Sequence, residues 1–351
     1  MNFRTKCVHT KDFYGNISMG VLTDLNPERY GRLCNNHTNT LKNQMMDLYG
    51  AKFGFLTGCG AQALNLLMTV FNHNKRFHKL YFDKRCYCEF ISSADMFEYN
   101  YELIDYETFD FSKAKSPSVF FIEPLTNPYL FEVDVKKICK TVHKINPLNI
   151  VVVDNTIYTS YYYNPFDDGA DMVVESLTKY TNGFGDAFGG VILYKKNIFN
   201  KQLFVYNIDR LFNLATHISP LESYLISRSI STLPIRMDYI TNSATKIYEY
   251  LKTKSPLVKY SGKGGFIILN LNNLSDKKDL NNMLVENLKL FTHCMAFGHD
   301  YSLYYVIKEW FPIERECPNE DFKNCIRFSI GLEDTDDLIE DLEQAFKQIG
   351  L

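Results

Sequence analysis

Short apolar runs alternate with helical stretches along residues 50–200, and this alternation constrains the fold more than any other feature of the sequence. Residues 149–153 read Asn-Ile-Val-Val-Val, a nearly continuous β-branched run that is typical of a strand buried on both faces. The other strands predicted in this region lie at 53–56, 79–82, 118–122, 172–174 and 190–193. The helices predicted here lie at 41–49, 61–71 and 133–144. Strands that alternate with helices favour a parallel sheet covered by helices, which is an α/β fold.

The pattern changes after about residue 215. Residues 220–254 predict a long, mostly helical segment that is interrupted at Pro234. Two strands are predicted after it, at 266–269 and 326–330, and a helix is predicted between them at 278–290. The last helix carries its apolar residues on one face, and Thr335 is predicted to cap it. A length of 351 residues favours about two domains.

Charge and cysteine content exclude several classes of protein. The 38 Lys and Arg against 41 Asp and Glu give a net charge of −3, so no basic field favours nucleic acid or an anionic membrane. No apolar run approaches the roughly 18 to 20 residues that span a bilayer, and the N-terminus does not resemble a signal peptide. Nine irregularly spaced cysteines do not form a disulfide framework, which favours a cytoplasmic protein. Cys86 and Cys88 alone are a poor metal site, and no metal is expected.

Four polar features fall where an α/β fold places its ligands. Asp154 directly follows the run at 149–153, at the carboxyl end of a strand. Its carboxylate could pair with a cationic ring nitrogen or a metal, or it could cap the next helix. Residues 176–179 read Ser-Leu-Thr-Lys; the hydroxyls could bind phosphate and the lysine could form a Schiff base. On these four residues alone, a polar turn with a surface lysine is the favoured interpretation.

Residues 58–61 read Gly-Cys-Gly-Ala between a strand and a helix. Such a turn either lets backbone N–H groups approach an anion at the helix N-terminus or is only a tight connection. Arg327 lies among apolar residues of a late strand, and a buried arginine needs a carboxylate of the protein or an anionic ligand as its partner.

Taken together, an anion-binding turn, an acid after a buried strand and a Ser-x-Thr-Lys segment suit pyridoxal phosphate. The turn and the hydroxyls would hold the phosphate, and Asp154 would keep the pyridine nitrogen protonated. Lys179 would bind the aldehyde and then move protons.

The sequence resembles the Cys/Met-metabolism family of pyridoxal-phosphate enzymes, which includes cystathionine β-lyase, cystathionine γ-lyase, cystathionine γ-synthase and methionine γ-lyase. The strongest stretch is 151–191, with its Asp-Asn-Thr, Gly-Ala-Asp and Ser-x-Thr-Lys-Tyr elements at family spacing. Residues 30–50, 121–128, 227–237 and 326–346 resemble further family segments. The resemblance covers almost the whole chain.

This resemblance implies a fold-type-I architecture with an N-terminal arm at 1–50, a cofactor-binding domain at 51–230 and a C-terminal domain at 231–351. The cofactor domain would contain a mostly parallel seven-stranded sheet, and the smaller α/β domain would close over it. A homo-oligomer, either a dimer or a tetramer with shared active sites, is also implied.

The resemblance assigns roles to individual residues. Lys179 would be the Schiff-base lysine, and Tyr87 would stack on the cofactor ring and assist proton transfer. The other cofactor-binding residues would be Asp154, Gly60, Ala61, Ser176, Thr178 and Asn127, with Tyr30 and Arg32 reaching the phosphate of a neighbouring subunit. The substrate would contact Arg327, which binds its α-carboxylate, together with Ala296 and Phe297.

The chain departs from the family on the substrate side. The segment usually reading Ser-Leu-Gly-Gly-x-Glu-Ser is Ala-Phe-Gly-His-Asp-Tyr-Ser at 296–302. Ala296 thus replaces the usual serine and Tyr301 the usual glutamate, while His299 replaces a glycine. The residues that bind the cofactor in the family are present here, whereas those that contact the substrate are changed. This combination favours an active enzyme with an unusual substrate.

The function expected is β- or γ-elimination from a sulfur-containing or related amino acid. One alternative is a γ-replacement synthase of the cystathionine γ-synthase or O-acylhomoserine sulfhydrylase type. The other is a scaffold without catalytic activity.

Overall fold

Seven strands from the first part of the chain form one sheet in the order β1-β7-β6-β5-β4-β2-β3. The computed structural model describes residues 35–73, 77–195, 217–271, 274, 280–307 and 325–351. The strands of this sheet are β1 (Phe53–Thr57), β2 (Leu80–Asp83), β3 (Tyr101–Ile104), β4 (Val119–Ile122), β5 (Ile150–Asp154), β6 (Met172–Ser176) and β7 (Gly190–Tyr194). Neighbours from β3 to β6 pair in parallel, whereas β7 is antiparallel to both β6 and β1. The predicted α/β fold with a mostly parallel seven-stranded sheet is confirmed.

Helices cover both faces of this sheet because its central strands are apolar on both sides. The helices are α1 (Asn36–Tyr49), α2 (Gly60–His73), α3 (Cys88–Met96), α4 (Val135–Ile145), the short α5 (Thr159–Tyr162) and α6 (Pro220–Ile230). Val152 and Val174 pack with residues of α2 and α3 on one face. Val173 packs with α1 and α6 on the other face, where Val151 packs with α4. The run at 149–153 is therefore buried as its composition predicts.

A second sheet, in the order β10-β11-β12-β9-β8, lies in the later part of the chain. Its elements are α7 (Leu233–Lys252), β8 (Val258–Tyr260), β9 (Phe266–Leu269), α8 (Leu280–Val285), β10 (Thr292–His293), β11 (Leu303–Val306), β12 (Ile326–Ser329) and α9 (Thr335–Ile349). Apolar residues of α7, α8 and α9 pack against this sheet and form its core.

The chain divides into two compact units. The first comprises Met1–Leu125, Val133–Asn182 and Asp186–Leu233, so far as these residues are described. The second comprises Pro234–Leu351 with two short segments from earlier in the sequence, Thr126–Glu132 and Gly183–Gly185. The limits of the arm and domains at 50 and 230 stay a prediction.

Two local predictions are wrong. The cap of α9 is Asp334 rather than Thr335, because Asp334 Oδ1 accepts from the N–H groups of Asp336 and Asp337. The helix predicted at 278–290 is much shorter, since α8 ends at Val285. Pro234 lies in the first turn of α7, where its missing N–H leaves no hydrogen bond unmade.

None of the helices among the described residues is both long and apolar enough to cross a membrane.

Candidate cofactor and substrate sites

The strand order brings two distant loops to one edge of the first sheet. Gly190, the first residue of β7, pairs with Thr57 at the end of β1 and with Ser176 at the end of β6. A Cβ on Gly190 would lie 2.4 Å from both Cys59 O and Thr57 Oγ1, so only glycine permits this approach. The turn at 58–60 and the segment at 176–179 therefore begin on either side of Gly190.

Gly60 and Ala61 lie in the first turn of α2, where N–H groups have no acceptor within the helix. Ala63 N–H donates to Cys59 O at 3.2 Å and starts the helical pattern. The N–H of Gly58 already donates to Gln62 Oε1 at 2.9 Å. The anion-binding capacity of this turn thus resides in the first residues of the helix, as the sequence predicts.

The two side-chain hydroxyls that are predicted to bind the phosphate differ in their surroundings. Ser176 lies against Gly60, and its Oγ makes no hydrogen bond to any other residue within the described ranges. Thr178 Oγ1 instead accepts from Gly189 N–H at 3.1 Å and lies 3.3 Å from Gly189 O. Ser176 is therefore available to an anion as it stands, and Thr178 must release a backbone contact to donate to one.

Asp154 ends β5 on the same edge of the sheet. Its Oδ1 accepts from the hydroxyl and N–H of Thr156, at 2.5 and 3.0 Å, and Oδ2 accepts nothing from the residues that the structure describes. Asp154 does not cap α5, whose cap position is Tyr158. Burial raises the pKa of Asp154 to about 6, although the two hydrogen bonds from Thr156 lower it. A cationic N–H donor at Oδ2 would favour the ionised form.

Lys179 lies in the turn that follows β6 and is partly buried. Its backbone N–H points to Ser176 O at 3.4 Å, and Asn182 N–H donates to Leu177 O at 2.9 Å. These bonds fold residues 176–182 into a compact turn. The lysine, Ser176 and Asp154 are thus carried by the adjacent ends of β5 and β6.

Tyr87 occupies the cap position of α3, and its backbone N–H donates to Glu123 Oε2 at 2.7 Å. Burial raises the pKa of the Tyr87 phenol, and the negative charges of Glu89, Asp154 and Glu123 raise it further. Glu123 was not predicted as a site residue, although it is an acid next to a buried strand, which is a signal visible in the sequence.

In the second unit, Arg327 is 1% exposed. Its Nη1 donates to Asn127 Oδ1 at 2.8 Å, and its Nη2 donates to Met295 O at 2.6 Å and Ala296 O at 3.0 Å. These three acceptors are uncharged. The guanidinium also lies 5.1 Å from the ring centre of Phe266 and 5.8 Å from that of Phe297.

Two other predicted substrate-side residues, Ala296 and Phe297, lie close to Arg327. Ala296 contributes its backbone oxygen, and Phe297 packs on Phe266 with ring centres 4.6 Å apart. His299 packs edge-on against Tyr301 at 5.2 Å. Asn127 Nδ2 makes no hydrogen bond to a described residue, so its amide can still donate to a ligand. Tyr30 and Arg32 lie outside the described residues.

The side chains of the first unit fit pyridoxal phosphate. Its phosphate requires N–H and O–H donors, and the first turn of α2 together with the unengaged Ser176 Oγ provides them. Its ring nitrogen requires a carboxylate oxygen, and Asp154 Oδ2 is one. Its aldehyde requires an amine, which Lys179 carries. No group of three or more His, Cys, Asp or Glu suited to a metal occurs in the described part of the chain.

Comparison with known proteins gives the same cofactor. Residues 16–347 match the model of the family described as Cys/Met metabolism PLP-dependent enzyme. The chain belongs to this family. It is therefore a pyridoxal-phosphate-dependent enzyme, and the resemblance found in its motifs is confirmed.

Two curated relatives illustrate the similarity. The L-methionine gamma-lyase of Treponema denticola is 30% identical over 68% of this chain, and the alignment spans 64% of that relative, just under two thirds. The cystathionine gamma-synthase of Haemophilus influenzae is 28% identical over 96% of this chain and 90% of its own length. The two differ in the reaction for which they are named.

Solved structures agree on the fold. The crystal structure of cystathionine gamma-lyase from Lactobacillus plantarum complexed with L-serine superposes with a TM-score of 0.85 at 24% identity, covering 99% of each chain. The fold-type-I architecture is confirmed by this match.

Proposed function

We propose that the chain eliminates a leaving group from the β- or γ-carbon of a sulfur-containing or related amino acid. The observation that supports this most is the convergence of Asp154, Ser176 and Lys179 on the adjacent ends of β5 and β6, opposite the first turn of α2. Two relatives are named L-methionine gamma-lyase and cystathionine gamma-synthase, which supports a substrate from sulfur amino-acid chemistry.

Each residue of the first unit has one task in this proposal. Gly60, Ala61 and Ser176 bind the phosphate, with Thr178 joining them once it leaves Gly189. Asp154 accepts the hydrogen bond of the protonated ring nitrogen, and Tyr87 packs on the ring. Because Asp154 is buried, its charge is screened little and holds that proton firmly.

When bound, pyridoxal phosphate supplies an electron sink for the pair left at the substrate α-carbon. Lys179 Nζ would bind the cofactor aldehyde before the substrate arrives. Once the substrate amine has displaced it, the freed Nζ would take the proton from the α-carbon as a general base. In γ-elimination, Lys179 also moves a β-proton. The Tyr87 phenol orients Lys179 and keeps its own proton at neutral pH, since burial raises its pKa.

Arg327 binds the substrate α-carboxylate in this proposal, and Asn127 orients the guanidinium through its Oδ1. A guanidinium and a carboxylate form two parallel hydrogen bonds, which fix orientation as well as affinity. In the family, the hydroxyl at the position of Ala296 restrains the Schiff-base lysine. Ala296 has no hydroxyl, so the proposal gives Lys179 more freedom.

The second candidate is γ-replacement, in which a thiol adds where the first group left. The alignment with the cystathionine gamma-synthase spans 96% of this chain and supports it. Both reactions need the same cofactor residues, so the substrates distinguish them.

One experiment tests the proposal. The purified protein is assayed with a panel of amino acids, with and without added thiol, after its visible absorbance has been recorded. Elimination releases ammonia and an oxo acid without thiol, whereas replacement requires an acylated homoserine and a thiol. A protein with no cofactor absorbance after incubation with pyridoxal phosphate would instead be a scaffold. Borohydride should fix the cofactor to the peptide that contains Lys179, and an identical adduct in Lys179→Ala would refute that role.

We also propose a homo-oligomer, a dimer or tetramer, in which Tyr30 and Arg32 complete the phosphate site of a neighbouring subunit. Light scattering tests this, and a fully active monomer would contradict it. We also propose a cytoplasmic location, which the odd number and irregular spacing of the cysteines support, and cell fractionation tests it.

A further inference from the structure

Glu175 is a buried acid beside the candidate cofactor site that the proposed mechanism does not use. It precedes Ser176 on β6, is 0% exposed, and points to the face of the sheet opposite Ser176, because successive strand residues alternate. Its two oxygens accept hydrogen bonds from the Tyr49 phenol and the Thr181 hydroxyl. None of the ion pairs found among the described residues includes Glu175.

The bond from Thr181 closes the turn that carries Lys179. Glu175 lies just before this turn and Thr181 lies two residues after the lysine, so one carboxylate holds both ends. The backbone bond from Asn182 to Leu177 reinforces the same turn. The position of Lys179 thus depends on a side chain on the far face of the sheet.

The bond from Tyr49 extends the connection to the end of β5. The Tyr49 oxygen accepts from Asn155 Nδ2 at 2.9 Å, and Asn155 is the neighbour of Asp154. Asn155 also donates from its backbone to Val174 O at 2.9 Å, and from Nδ2 to the carbonyls of Thr159 and Tyr163 at 2.9 Å each. Glu175 is therefore the common acceptor of a network that reaches both Lys179 and Asp154.

The charge of Glu175 also depends on Asp154. Burial raises the pKa of Glu175 to about 7, the bonds from Thr181 and Tyr49 lower it, and the negative charge of Asp154 raises it further. The Tyr49 phenol on α1 faces Glu175, and it stays neutral because burial raises its pKa well above the ordinary value. Asp154 on β5 points to the other face of the sheet, since it pairs with Val174, the neighbour of Glu175. Glu175 is thus held by hydrogen bonds from two uncharged groups, Tyr49 and Thr181.

We propose that Glu175 is a positioning residue of the cofactor site, which holds the Lys179 turn and the Asp154 strand end together. This inference rests on the proposed roles of Asp154 and Lys179.

Two substitutions test this positioning role. Glu175→Gln keeps hydrogen-bonding capacity toward Tyr49 and Thr181, whereas Glu175→Leu removes it. Asp171→Asn is the matched control, because Asp171 directly precedes β6 at its opposite end and accepts from Val151 N–H and His143. The apoprotein of each variant is titrated with pyridoxal phosphate by calorimetry. Circular dichroism verifies folding.

Glu175→Gln should bind pyridoxal phosphate with nearly the affinity of the wild type, because both hydrogen bonds can still form. Glu175→Leu should bind at least about tenfold more weakly, because Tyr49 and Thr181 lose their shared acceptor. Asp171→Asn should behave as the wild type.

Wild-type affinity in a folded Glu175→Leu would overturn the positioning role, and so would a loss in Glu175→Gln as large as that in Glu175→Leu. If Glu175→Leu does not fold, Thr181→Val removes one of the two donors to Glu175, and wild-type affinity in that variant would overturn the role. Failure of the proposed function gives a different result, in which the wild type itself binds no pyridoxal phosphate.

Discussion

Gly60 approaches Ser176 so closely that a Cβ at position 60 would lie 2.6 Å from Ser176 Cβ and 2.9 Å from its Oγ. This contact presses the N-terminus of α2 against the end of β6. It therefore sets the spacing between the N–H donors and the hydroxyl that are proposed to share one phosphate.

Gly60→Ala should separate these two groups. Overpacking of this kind typically costs about 1–3 kcal/mol, so we expect a lower melting temperature and cofactor affinity at least about tenfold weaker. Adding Ser176→Gly to Gly60→Ala should restore stability but not affinity, because it removes the clash and also the hydroxyl. Calorimetric titration and thermal unfolding measure both quantities. Unchanged affinity in Gly60→Ala would show that this spacing does not matter.

Asp154→Asn should stabilise the apoprotein and weaken the holoenzyme. The folded-state pKa of about 6 exceeds the ordinary value of an aspartate, so ionisation of Asp154 opposes folding. The stability gain of the variant should be absent below about pH 4, grow up to about pH 6 and be constant above pH 7, at no more than about 3 kcal/mol. Denaturant unfolding across this range measures it, with Asp171→Asn as the control. A gain that is the same at pH 4 and pH 7 would contradict the assigned cause.

Tyr87→Phe should lower kcat by about 10²- to 10⁴-fold, the usual contribution of a group that assists proton transfer. The backbone bond to Glu123 remains in this variant, so α3 and the ring packing should be retained. Cofactor absorbance should accordingly be unchanged while steady-state turnover falls. Tyr101→Phe, which removes a phenol bonded to Asp95, is the control. Wild-type turnover in Tyr87→Phe would remove the phenol from the mechanism.

Arg327→Ala should chiefly raise KM for every amino acid that is processed, because a carboxylate loses its partner. It should also lower the melting temperature, since Asn127, Met295 and Ala296 lose a buried donor and unmet acceptors cost about 1–3 kcal/mol each. Arg327→Lys keeps the charge but not the paired geometry and should recover only part of the loss. Kinetics over the substrate panel decide this; unchanged kcat and KM in Arg327→Ala would mean that the carboxylate is bound elsewhere.

The elements that the sequence predicts well are those with a strong local pattern. The β-branched run before Asp154 and the apolar face of α9 appear where expected. Helix α3, with two serines and an aspartate among nine residues, has no such pattern and was not predicted. The cap of α9 was placed one residue late because Asp334 and Thr335 are both good cap residues, and only the backbone geometry separates them.

The same distinction applies to the candidate site: residues in local motifs can be predicted, whereas contacts made only by the fold cannot. Asp154, Ser176 and Lys179 are recognisable because each follows a strand in a short motif. Tyr49 and Glu175 meet across 126 residues of sequence, and no local pattern contains such a pair. The engagement of Thr178 by Gly189 likewise depends on how a loop returns to the sheet, which spacing alone does not reveal.

The position of β7 has a consequence for biosynthesis. Because Gly190 pairs with both Thr57 and Ser176, the two loops proposed to bind phosphate are held together only after β7 has entered the sheet between β1 and β6. A ribosome-bound chain that has not yet released residues 190–194 lacks the strand that joins them. Cofactor capture during translation must therefore wait for this strand. The described residues proposed to bind the phosphate all precede β7 in the sequence and leave the ribosome before it.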